Sequence, residues 1–80
     1  MAGLLIVAAT GPQDATRASV PFHIAANGAT PSGTEVAIAL AGDAVELVKP
    51  EVIDAVVGVG IPRLRDLVDK CLAQNVRVYV

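Results

Sequence analysis

Apolar positions fall into runs and stripes that alternate along the chain. Leu4 to Ala9 is an unbroken apolar run ended by Thr10-Gly11-Pro12. Apolar on both faces, it has the pattern of a buried parallel strand. From about Asp14 to Ala29, residues Ala15, Ala18, Phe22, Ala25, Ala26 and Ala29 recur at spacings of three and four, one helical stripe, with Asp14 placed to cap it. Pro21 removes a backbone donor, so the pattern predicts a kink there or a regular part beginning near Ser19. Asn27-Gly28 and Pro31-Ser32-Gly33 close the segment.

Glu35 to Ala41 reads as the second strand, ending at Gly42-Asp43. Asp43 with Glu46 predicts a capping box for a short helix stopped at Lys49-Pro50. Pro50 suits the first position of another short helix, through about Val57, although Val52, Ile53, Val56 and Val57 would also suit a strand. Gly58-Val59-Gly60 reads as a hinge or turn. A helix begins near Pro62, with Leu64, Leu67, Val68, Cys71 and Leu72 on one face and the pairs Arg65–Asp69 and Asp66–Lys70 on the other. Asn75 can take the left-handed stop, and Val76 to Val80 reads as a third strand.

Strands alternating with helices predict an α/β fold with a parallel sheet. The expected architecture is a three-layer, doubly wound sheet of order 2-1-3 within one domain, residues 1–80. In such sheets ligands sit beyond the carboxyl ends of the strands, where the order reverses. The expected crevice lies between strands 1 and 3, walled by Thr10, Gly11, Pro12, Gln13, Asp14, Gly42 and Asp43, with Arg17 near enough to face an anion.

Composition narrows the functions. Apolar residues make up 54% and charged residues 18% of the chain, which excludes intrinsic disorder. Six basic residues against eight acidic ones, with Phe22 and Tyr79 as the aromatics, argue against nucleic-acid binding. Apolar runs fall short of membrane-spanning length, so no membrane partner is expected. Met1 to Ala9 lacks the basic flank of a signal segment and reads as a strand, and one cysteine suits a reducing, cytoplasmic setting. One cysteine and one histidine, far apart, make a zinc site improbable, and no cofactor is expected. Eighty residues make a marginal core, so a chain this apolar is expected to bury more surface, by oligomerising or within a longer domain.

No motif completes a catalytic group. Thr10 to Asp14 lacks the glycine spacing and the Lys-Ser/Thr of a phosphate loop, and a plain strand-to-helix turn is favoured there. Cys71 falls on an apolar stripe, where cysteine packs as a small hydrophobe. His23 has no evident base or metal partner nearby in sequence, and Asp43 suits a helix cap better than a catalytic acid.

The order and spacing of Leu4-Leu5-Ile6-Val7-Ala8-Ala9-Thr10-Gly11-Pro12, the Ala-rich segment 18–29, Ala37-Ile38-Ala39-Leu40-Ala41-Gly42-Asp43-Ala44 and the segment 64–80 resemble the DsrE/DsrF-like family. The resemblance implies a flavodoxin-like sheet, a homo-oligomer (dimer, trimer or hexamer), and a place in intracellular sulfur relay as a persulfide carrier or sulfurtransferase accessory, with a sulfur-carrier protein as partner. It places the sulfur-bearing cysteine just after the third strand, beyond residue 80, with further β/α units following; Cys71 does not map to it. Two other readings stand beside it. One is a non-catalytic oligomeric interaction module; the other, weaker, is small-anion or nucleotide binding at the strand-1 loop.

Overall fold

The computed structural model describes residues 3–80. Met1 and Ala2, the start of the segment Met1 to Ala9 that reads as a strand, lie outside the described residues.

Three parallel strands carry the fold: β1 (Gly3–Ala8), β2 (Glu35–Leu40) and β3 (Arg77–Tyr79). The helices are α1 (Ala15–Ile24), α2 (Pro50–Ala55) and α3 (Leu64–Ala73). The mixed α/β character and the parallel sheet agree with the sequence pattern.

The strand order differs from expectation: it is β1-β2-β3, not 2-1-3. Leu5, Ala37 and Arg77 form one row across the sheet, and Val7, Ala39 and Tyr79 the next. Crossovers of one hand that step twice in the same direction lay their helices on the same face; a reversal would have put them on opposite faces. Burial follows this rule. On the helix side Val36, Ile38 and Leu40 are buried, whereas on the other side Leu5 is 60% exposed, Val7 64% and Tyr79 51%. Among the described residues the molecule is therefore two layers, with β1 as an edge strand rather than a strand buried on both faces. Alternation failed as a guide here because the sequence of β1 is apolar at the positions of both faces.

The core lies between the sheet and the helices, built on Ile38, Phe22, Leu64, Leu67, Cys71 and Val56. On α3, Leu64, Leu67 and Cys71 face it, but Leu72 is 60% exposed, so the stripe is narrower than predicted.

Local chemistry explains the element ends. Asp14 caps α1 as predicted, its carboxylate accepting from the Arg17 amide at 3.0 Å. The helix runs through Pro21 and then widens into π-helical winding at Ala25–Ala29, where the Thr30 amide donates to the Ala25 carbonyl. The capping box at Asp43 does not form. Gly42–Val48 is a 3-10 helix capped by Ala41 without a side-chain bond, and Glu46 pairs with Lys49 at 3.1 Å instead. Pro50 opens α2 as predicted, but the helix ends at Ala55 and Val56 is extended, as β-branching favours. The predicted pairs along α3 give way to others: Arg65 reaches Asp54 of α2 at 2.7 Å, and Arg63 lies 3.5 Å from Asp66. Asn75 ends α3 with φ 61°. Its amide donates to the Leu72 carbonyl and the Val76 amide to that of Cys71, the paired bonds of a Schellman stop.

Candidate functional sites at the two ends of the sheet

At the carboxyl end, the residues expected to wall a crevice do come together. Because β2 separates β1 from β3, they meet between adjacent strands rather than at a reversal. Gly11 packs so closely on the turn after β2 that a Cβ there would stand 2.3 Å from the Asp43 carbonyl oxygen. The Gln13 amide donates to the Asp43 carboxylate at 3.2 Å, and the Ala41 amide to the Ala8 carbonyl at 2.9 Å. Thr10 is half-buried while Pro12 is exposed, and Gly42 turns the chain with φ 56°. Arg17 is exposed, 4.0 Å from Asp14. The loops fill each other, so this cluster is a brace. Asp43 acts as a hydrogen-bond acceptor between loops, not as a helix cap.

A third loop, treated as a hinge from the sequence, joins the brace. The Val59 amide donates to Thr16 Oγ1 at 2.9 Å, and a Cβ on Gly58 would meet Ile61 at 2.8 Å. Gly58 thus serves close approach to α1, where a Cβ would stand 3.0 Å from Thr16 Cα, while Gly60 has open space around it and turns the chain with φ 74°. No local signal in the sequence marks a contact across 43 residues.

The amino end holds a cavity of about 580 Å3, between the segment after α1 and the stop of α3. Thr34, Glu35, Asn75 and Arg77 line it, together with Thr30 and Gln74. Thr30 Oγ1 and Gln74 Oε1 are buried without hydrogen-bond partners. A second hollow, about 330 Å3, opens onto the bare sheet face between Leu5, Ala37, Arg77 and Tyr79. The Tyr79 hydroxyl and the Glu35 carboxylate both raise the pKa of Arg77, the hydroxyl more. This end carried no motif, and the sequence reading passed over it.

Cys71 is buried, its thiol directed at the Phe22 carbonyl at 3.7 Å. Burial pushes the thiol pKa up, against a smaller opposing pull from Lys70. It is a core side chain, as its stripe implied. His23 has a partner the sequence reading missed: Asn27, four residues on, meets its Nδ1 at 3.0 Å and also binds Lys70 of α3. The i, i+4 spacing of His23 and Asn27 was the available signal.

Among the described residues no three His, Cys, Asp or Glu side chains gather as metal ligands. No helix among them is long and apolar enough to cross a membrane. No family model, curated protein or solved structure matches the chain.

Proposed function

We propose that this chain is a non-catalytic interaction module that works by burying the open face of its sheet in an oligomer. One observation carries the reading: the face opposite the helices is bare, with Leu5, Val7 and Tyr79 more than half exposed around Ala37 and Ala39. Parallel sheets are almost always covered on both faces. An assembly would supply the third layer that the flavodoxin-like reading calls for. The carboxyl-end loops, closed on one another, support assembly better than anion or nucleotide binding at Arg17.

The resemblance to DsrE/DsrF-like proteins adds sulfur relay as a role such an assembly would serve. That role needs a cysteine beyond residue 80, because the Cys71 thiol is packed inside the core.

The test is the size of the protein in gentle extracts of its own cells. The native chain is expected to travel in a complex, and Val7→Asp to release it as a folded monomer. A native chain that travels alone would sink the reading.

A further inference from the structure

We infer that the cavity at the amino end of the sheet is a binding site for a neutral, polyhydroxylated small molecule about the size of one sugar ring. The inference goes beyond the assembly reading and does not depend on it.

The cavity holds about 580 Å3, inside the roughly 300–1,000 Å3 of small-molecule sites. Such sites are mostly apolar, with a few placed polar groups. Here the balance is reversed: Thr30, Thr34, Glu35, Gln74, Asn75 and Arg77 all bring hydrogen-bonding side chains to the walls.

The walls are set before anything binds. The Thr34 amide donates to the Ala29 carbonyl at 3.1 Å and the Gly33 amide to the Thr30 carbonyl at 3.0 Å, which folds segment 30–34 back on the end of the π-helical turn. The Schellman stop of α3 fixes the backbone of Gln74 and Asn75. Little ordering cost therefore falls on binding.

The walls also carry an unmet demand for hydrogen bonds. Thr30 Oγ1 and Gln74 Oε1 are buried and have no partner. A buried polar group left unbonded costs free energy, and most such groups in folded proteins are satisfied. Neither atom has a hydrogen bond to lose, so a side-chain rotation that brings it to a ligand breaks nothing. Two orphaned atoms in the walls of one cavity point to a common occupant.

Chemistry selects the class of that occupant. The Glu35 carboxylate and the Arg77 guanidinium offset each other, so the walls hold no net charge to select an ion. Arg77 is already faced by Glu35 and by the Tyr79 hydroxyl of its own chain. A zwitterion such as a free amino acid would have to displace these partners. A neutral ligand leaves them in place and uses the spare lone pairs of the carboxylate and the spare N–H groups of the guanidinium. A hydroxyl both donates and accepts. It can donate to Glu35 or to Gln74 Oε1, and accept from Arg77 or from the Thr30 hydroxyl. It also meets a carboxamide in either orientation, which suits Gln74 and Asn75. A ring carrying several hydroxyls sets them at fixed spacing and can address both sides of the cavity at once.

The experiment is titration of the purified, isotope-labelled 80-residue chain with D-glucose, D-galactose, D-mannose and myo-inositol, read by amide chemical shifts. Glycine and methylammonium chloride serve as zwitterionic and cationic probes. Saturable shifts centred on residues 30–36 and 74–77 are expected with at least one polyol, at roughly millimolar affinity. Thr30→Val removes the orphaned hydroxyl at nearly constant shape. It is expected to keep or raise the Tm, because an unsatisfied buried group is gone, and yet to weaken polyol binding about three- to tenfold. A merely structural Thr30 would not separate these two readouts. No saturable shift from any of the polyols up to about 100 mM would overturn the inference. Saturation by glycine or methylammonium alone would overturn it too, since the site would then select charge. Polyol binding at full strength in the folded Thr30→Val chain would overturn the part given to the orphaned atoms, and with it the inference.

Discussion

Asn75 holds its backbone in the left-handed region, φ 61°, where a Cβ crowds the neighbouring carbonyl oxygen. Asparagine tolerates the region through local hydrogen bonding and glycine has no Cβ, whereas alanine has neither advantage. Asn75→Ala is expected to cost about 1 kcal/mol in a urea melt, and Asn75→Gly to stay within about 0.5 kcal/mol of the parent chain. Equal effects from both would show that the side chain, not the backbone, carries the position. The residue was legible in the sequence because a left-handed stop is a local event: Gln74-Asn75 at the end of an apolar stripe is enough to place it. The core role of Cys71 was legible on the same ground. The orphaned polar atoms of Thr30 and Gln74 were not, since each is defined by what fails to reach it from elsewhere.

The clip between α2 and α3 sets a pH dependence at the scale of elements. Asp54 accepts from Arg65 at 2.7 Å, and that hydrogen bond, with the charges of Arg65 and Arg63, holds its pKa below the ordinary 3.8 against a smaller effect of desolvation. A carboxylate depressed in the folded state contributes stability above its unfolded-chain pKa and loses it as pH falls through the lower folded value. Nuclear magnetic resonance titration should place Asp54 below 3.8 in the parent chain and return it toward 3.8 in Arg65→Ala. An unchanged midpoint would show that the pair does not hold in solution. Which partner Arg65 takes was not legible. Helical spacing nominated Asp69, but Asp54 stands on another helix, brought near by the extended segment from Val56 and the turn at Gly60. Element existence followed the apolar pattern well, while partnership between elements depended on topology.

At the scale of the molecule the decisive difference is the order of strands. The expected reversal would have covered both faces and opened a crevice between β1 and β3; the order found covers one face and places β2 between them. Nothing in local patterning separates the two, since β1 and β2 have the same apolar runs in either arrangement. Under the assembly reading, the melting temperature should rise with protein concentration, because only the folded chain presents the face that binds. Circular dichroism melts over a hundredfold concentration range would check this; a constant Tm would argue that the face stays bare.

The central place of β2 also has a kinetic consequence. Gly3 pairs with Glu35, and Ala37 with Arg77, so both pairings close long loops and neither strand pair can form from its near neighbours. Contacts within single helices and between α2 and α3, where Arg65 reaches Asp54 over 11 residues, are local and are favoured early, whereas the packing of α1 on α3, 49 residues apart at Phe22 and Cys71, is as non-local as the sheet and comes late with it. The two rows that make the open face align only when the last strand docks. A nascent chain therefore presents no sticky surface of this kind until its core is in place, and self-recognition is deferred to the finished fold.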